Sequence, residues 1–247
     1  MLRYERKYLV PNELIDDLRS RMSPFVRPDV FTKKSDNGLQ QYTVRSIYFD
    51  TRNLDFYTEK KEGLIYRRKF RIRGYDQYQS GCRVVLEIKR KIENRIKKHR
   101  CFVAYENVDK VLEHGEIRQN IMNTNKCPKA IEDAHRFLFH VKKSQLIPTC
   151  LIVYEREAWH GKFDQGVRIT FDKNIRSLAY PDLDNLFDDG GLKHLFSNHF
   201  ILEIKYFTDQ MPLWARSLVQ EFRLRNEALS KYAMGFDLFQ NQKVIIH

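Results

Sequence analysis

The chain has 247 residues, of which 42% are hydrophobic and 13% aromatic, enough for a packed core and too apolar for a disordered chain. A formal net charge of +12 points to an anionic partner: nucleic acid, a membrane surface or a phosphorylated molecule. The excess is spread through strand-like segments, which excludes a simple basic tail. Cys82, Cys101, Cys127 and Cys150 form no CxxC pair, and no histidine is placed to complete a zinc site, so reduced thiols are expected. Met1 leads directly into charged residues, and no run approaches the roughly 20 apolar residues of a membrane span. The expectation is a soluble, cytoplasmic protein that does not itself cross a membrane.

In chain order, Leu2–Val10 alternates as a first strand and Pro11 ends it. Leu14, Ile15 and Leu18 have helical spacing within a helix predicted over 13–22, and Asp36-Asn37-Gly38 signals a turn. Val44–Asp50 reads as the second strand and 53–60 as a short helix or turn. Strands follow at Tyr66–Arg73, Val84–Lys89 and Lys97–Val103. Composition then turns helical over about 106–146, where Val108, Val111 and Leu112, then Ile131, Ala134, His135 and Leu138, mark faces. Strands resume at Leu151–Trp159, Gly166–Asp172, Ile175–Tyr180 and Phe200–Tyr206, so 106–146 is read as an insertion within a single domain spanning 1–247. Pro212 opens a last helix over 212–226, followed by Ser230-Lys231-Tyr232.

The fold class expected is α+β: about eight antiparallel strands closed into a barrel, with helices packed outside. The strand Tyr66–Arg73 puts Arg67, Lys69, Arg71 and Arg73 on one face, which reads either as the wet outer face of an antiparallel sheet or as the lining of a cavity for a polyanion. Tyr66 and Phe70 fall on the opposite parity and read as core, as do Trp159 and Trp214. If the charged parity of every strand turns inward, the lining holds Glu5, Lys7, Arg71, Arg73, Glu87, Lys89, Lys98, Arg100, Arg156, Arg168, Glu203 and Lys205. Nine of these are basic and three acidic, which suits a wet cavity filled by a chain of phosphates better than an empty one. The carboxylates would hold a divalent cation between phosphate oxygens. Leu-Glu-Ile-Lys occurs twice, at 86–89 and 202–205, each time with Glu and Lys on one face. His99 reads as an ordinary strand residue, and His135 and His140 as helix residues without metal partners.

The stretches Glu5-Arg6-Lys7-Tyr8, Ser46–Thr51, Lys69–Arg73, Leu86–Lys89, Lys98-His99-Arg100, Tyr154–Ala158, Val167–Asp172, Leu202–Lys205 and Ser230-Lys231-Tyr232 together resemble a VTC domain. That is the catalytic domain of vacuolar transporter chaperone-type polyphosphate polymerases, within the triphosphate tunnel metalloenzyme or CYTH-like superfamily. The resemblance implies a tunnel that binds ATP and a growing polyphosphate chain. It implies phosphate contacts from Lys7, Arg71, Arg73, Lys89, Lys98, Arg156, Arg168 and Lys231, with Glu203 as the ligand of Mn2+ or Mg2+ and Lys205 beside it. Two departures stand out: Arg3 replaces the first Glu of the superfamily's opening Glu-x-Glu-x-Lys, and Ala228 stands where the family can carry a second lysine.

The activity this implies is transfer of the terminal phosphoryl group of ATP to the end of polyphosphate, which rests on positioning and charge neutralisation. A hydrolase with water as acceptor and a non-catalytic polyphosphate or inositol-polyphosphate binding module are the rival readings. RNA binding is disfavoured because the aromatics lie on the parity opposite the arginines. A separate membrane channel that receives the product is a conceivable partner.

Overall fold

The computed structural model describes residues 4–34, 40–93, 95–207 and 210–243, with side chains at all of these except 33, 34, 95 and 241–243. Arg3 and the turn signal at Asp36-Asn37-Gly38 lie outside the described residues. The first strands and helices are β1 (Tyr4–Pro11), α1 (Ile15–Met22), β2 (Val26–Pro28), β3 (Lys33–Lys34), β4 (Gln40–Asp50) and α2 (Asp55–Lys61). Three long strands follow, β5 (Tyr66–Tyr75), β6 (Arg83–Ile92) and β7 (Arg95–Ala104). The segment expected to be helical holds α3 (Val108–Leu112), α4 (Ile117–Asn120), a two-residue strand β8 (Ile121–Met122) and α5 (Ala130–Lys143). Then come β9 (Ile147–Gly161), β10 (Arg168–Ala179), β11 (Lys193–His194), β12 (His199–Tyr206), α6 (Leu213–Glu221) and α7 (Lys231–Lys243).

The chain forms two compact units. Unit 1 comprises Met1–Thr43, Val153–Arg176 and His194–Ser230; unit 2 comprises Val44–Ile152, Ser177–Lys193 and Lys231–His247.

In unit 1 the strand order is β1-β12-β10-β9, with β2 on β9. The pairings of β1 with β12, β12 with β10 and β2 with β9 are antiparallel. Alternation sends Tyr8, Val10, Ile169, Phe171, Phe200, Leu202, Ile204 and Tyr206 to one face, where Leu18 and Met22 of α1 and Leu218 of α6 cover them. Each such side chain contributes roughly 1.5–3 kcal/mol by leaving water. The alternate positions carry the charges.

In unit 2 the order is β4-β5-β6-β7-β8, again antiparallel. The apolar parity buries Ile47, Phe49, Phe70, Ile72, Val84, Leu86, Ile88, Cys101 and Val103. Helix α5 covers this face with Ala130, Ala134 and Phe137, while Glu132 and Asp133 in its first turn and Lys142 and Lys143 in its last complement the helix dipole. Asp133 also fixes α5 to β7: it lies 2.7 Å from His99 Nδ1 and accepts the Arg100 N–H at 2.9 Å. His99 is therefore a buried anchor for the helix, which the sequence reading of an ordinary strand residue missed.

Three expectations are corrected. The antiparallel pairing and outer helices are present, but the strand run of each unit, taken by itself, is open among the described residues. Closure needs staggered end strands that pair along their length, and β8 at the end of unit 2 pairs through only two residues. Second, the strands expected at 166–172 and 175–180 are one strand, β10, which runs through Asn174 with a left-handed φ of 48°. Third, Tyr66 is not core: it is 41% exposed at the outer end of β5, whereas Phe70 is buried.

Candidate functional site

The basic strand β5 lies between β4 and β6 in a register that decides what each cation meets. Arg71 stands opposite Tyr48 on one side and Glu87 on the other, and Glu87 stands opposite Arg100. Arg71 donates to the Tyr48 hydroxyl at 3.0 Å and forms an ion pair with Glu87; Arg100 Nε donates to the second Glu87 oxygen at 2.5 Å. Arg73 Nε donates to Ser46 Oγ at 3.1 Å. In the next row Lys69, Lys89 and Lys98 are direct cross-strand neighbours on three successive strands. These central positions thus set six cations on one face of β5–β7 against Glu87. Directly opposed like charges are destabilising, so this row concentrates positive charge at an electrostatic cost.

The electrostatics follow from this geometry. Burial by itself raises the pKa of Glu87, but Arg71, Arg73 and Arg100 outweigh it and hold the carboxyl well below its ordinary range. Burial likewise pushes the Tyr48 phenol up, and Arg71, Arg73 and Lys231 bring it below its ordinary value. Lys231, the first residue of α7, thereby belongs to the same field. Tyr232 beside it is buried; its hydroxyl donates to Asp50 at 2.6 Å and its ring stacks on Tyr48.

Unit 1 has its own charged face. Lys7 stands opposite Glu203, which stands opposite Thr170; Glu5 stands opposite Lys205, which stands opposite Arg168. Lys205 Nζ is 2.7 Å from Glu203 and 3.7 Å from Glu5, and Lys7 Nζ is 3.1 Å from Glu5. Lys7 Nζ also donates to the Leu229 carbonyl at 3.1 Å. Arg156 grips Asp172 through Nε at 2.6 Å and Nη2 at 2.8 Å, and Nη2 lies 3.9 Å from Glu203. Arg168 reaches Asp29 at 3.0 Å and the Tyr42 hydroxyl at 3.2 Å. Burial draws the Lys205 ammonium down to about 8, against the opposing pull of Glu203 and Glu5.

Every residue of the sequence-derived lining therefore lies on one of two charged sheet faces. Glu5, Lys7, Arg156, Arg168, Glu203 and Lys205 share the face in unit 1, and Arg71, Arg73, Glu87, Lys89, Lys98 and Arg100 share the one in unit 2. Sequence reasoning undercounted the acids. Asp172 and Asp29 hold Arg156 and Arg168, so unit 1 has four carboxylates against Lys7, Lys205, Arg156 and Arg168. Asp172 was visible as the parity partner of Arg168, whereas Asp29 sits in a polar connection that carries no periodic signal.

For a metal, no group of three or more His, Cys, Asp or Glu gathers among the described residues. Glu203 is a single carboxylate, so a divalent ion there would need most of its shell from its ligand and water. It is a nearly buried carboxylate with one oxygen on Lys205 and the other 3.9 Å from Arg156. Magnesium commonly takes one or two carboxylates and completes its shell with phosphate oxygens and water.

The family model described as VTC domain matches residues 2–240. No curated protein matches the sequence. Among solved structures, the chain is similar to the putative adenylyl cyclase HpAC1 from Hippeastrum, described as having a dominant triphosphatase activity, at 16% identity and TM-score 0.47, covering 96% of this chain and 95% of that one. It is also similar to the PH1819 protein from Pyrococcus horikoshii OT3, at 14% identity and TM-score 0.47, covering 94% of this chain and 97% of that one.

Proposed function

This chain belongs to the VTC domain family, and from that premise we propose that it transfers the terminal phosphoryl group of ATP to the end of a polyphosphate chain. The observation that carries the reading is the in-register row Lys69–Lys89–Lys98 beside Arg71–Glu87–Arg100. Rows of cations spaced by neighbouring strands match a ligand that repeats its negative charge, as a phosphate chain does.

In the reaction, a terminal oxygen of the polyphosphate attacks the γ-phosphorus of ATP, the bond to the β,γ-bridging oxygen breaks, and ADP leaves. The acceptor is already an anion, so no protein base is needed. Arg71, Arg73, Arg156 and Arg168 hold non-bridging oxygens by charge-assisted N–H donation. Lys7, Lys89, Lys98, Lys205 and Lys231 neutralise charge along the chain, and Arg100 binds at the rim. Glu87 and Glu5 keep Arg71, Arg100, Lys7 and Lys205 in place between turnovers. A Mn2+ or Mg2+ ion on Glu203, when bound with the nucleotide, supplies charge stabilisation and alignment. Delivery of the product to a separate membrane channel is part of this proposal.

The test is incubation of purified protein with γ-labelled ATP and manganese. Acid-stable polyphosphate is the expected product. Release of free phosphate alone would assign the same faces to hydrolysis, and binding without turnover would assign them to a polyphosphate-binding module. Lys89→Ala is expected to lower kcat/KM about tenfold to a hundredfold, the worth of one charge-assisted phosphate contact. A nucleotide-bound experimental structure with triphosphate away from both charged sheet faces would overturn the reading.

A further inference from the structure

One end of the β5–β6–β7 sheet carries exposed apolar side chains that phosphate chemistry does not use. Ile65 is 68% exposed, Ile92 52%, Leu64 44%, Tyr66 41% and Ile96 36%. Strand register brings them together. Tyr66 stands opposite Ile92, Ile96 stands opposite Lys91 next to it, and the Glu93 N–H donates to the Ile65 carbonyl at 3.1 Å. Isolated exposed apolar residues are ordinary, but this many at one sheet end mark a contact surface. Alternation places Ile96 on the cationic face and Tyr66 and Ile92 on the helix-covered face. Among the described residues, exposed apolar side chains thus lie on both faces of this sheet end.

The charge order behind the tip identifies the partner. The next row inward pairs Arg67 with Lys91, and the row after it sets Arg90 beside Lys97. Among the described residues, Glu62 and Glu93 are the exposed acids at this end. Arg68, in the same row as Arg90, is held by Glu59. An apolar crown backed by a cationic belt matches the layering of an anionic bilayer, whose acyl region lies beneath negative headgroups. Tyr66, with an apolar body and a polar tip, suits the boundary between the two. A second copy of this chain would set two such cationic belts against each other, which is repulsive.

We propose that Leu64, Ile65, Tyr66, Ile92 and Ile96 dock this protein peripherally on an anionic phospholipid surface. The test uses the full chain with vesicles of phosphatidylcholine alone or mixed with phosphatidylglycerol. Wild-type protein is expected to co-sediment with the anionic vesicles, and an Ile65→Trp variant to show a blue-shifted emission quenched by brominated acyl chains. Ile65→Ser/Ile92→Ser is expected to reduce partitioning about tenfold or more, with ATP turnover in vesicle-free buffer and thermal unfolding both unchanged. Equal vesicle binding by wild type and the double variant would overturn the proposal, because the basic sheet faces would then account for all of it. So would absence of vesicle binding together with a concentration-dependent dimer that the double variant loses, which would make the tip a protein–protein interface.

Discussion

Glu87 is where the cost and the use of the cationic face in unit 2 meet. Its side chain is 3% exposed and stands between Arg71 and Arg100, so its ionised form is favoured in the folded protein despite burial. A carboxyl with a depressed folded pKa stabilises the fold fully above its unfolded value, near 4.5, and loses that contribution as pH falls through and below it. Glu87→Gln is therefore expected to cost about 2–3 kcal/mol at neutral pH and to flatten the acid limb of the stability curve below that value. Urea titrations across the pH range measure both; an acid limb unchanged in the variant would refute the assignment. Asp172 poses the complementary case. Fully buried, it holds Arg156 by two hydrogen bonds, and Asp172→Ala is expected to cost about 3–5 kcal/mol by leaving the guanidinium without its closest carboxylate. At this scale the sequence showed which residue types share a parity, but not that Asp29 returns from a connection to meet Arg168.

Among the helices, α7 was the one that periodicity hid. Its apolar residues do not form a clean stripe, and Gly235 interrupts a helix that is otherwise read from Lys231 onward. The glycine has a packing reason. A Cβ there would lie 2.3 Å from Ile152 Cδ1, 3.1 Å from Ser177 Cβ and 3.3 Å from Cys150 Sγ. Ile152, Ser177 and Cys150 are all fully buried and have little room to move. Gly235→Ala gains up to about 1 kcal/mol of helix propensity, yet overpacking costs about 1–3 kcal/mol. The variant is expected to be less stable by about 1 kcal/mol, with a lowered Tm; a raised Tm would show that Ile152 repacks easily. Helix α2 depends on Asp50, which accepts the N–H groups of Thr51, Phe56 and Tyr57 and the Tyr232 hydroxyl. Asp50→Ala removes all four acceptor contacts at a buried site and is expected to cost at least about 3 kcal/mol in denaturant unfolding. Strands were legible because period 2 repeats over many residues. The merger of two expected strands into β10 was not, because Asn174 reads as a break in sequence while the backbone passes through it.

For the whole molecule, a net charge of +12 predicts that polyphosphate binding is electrostatically driven and weakens with salt. Raising sodium chloride from low to several hundred millimolar is expected to increase the Kd for polyphosphate about tenfold or more, while competing RNA displaces it poorly. Displacement by RNA as effective as by short polyphosphate would mean that charge alone, without the row geometry, governs binding. No helix among the described residues is long and apolar enough to cross a membrane. The amino-acid order by itself determined the antiparallel α+β character and the charged parity of nearly every strand, because alternation is a local property of the backbone. Membership of the VTC domain family was legible too, through short stretches recurring in order along the chain. Only the tertiary structure decided which cation stands beside which carboxylate, that Tyr66 ends in solvent, and that the strand run in each unit is open. Those outcomes depend on register and on contacts between residues far apart in the chain, and no local pattern of side chains encodes them.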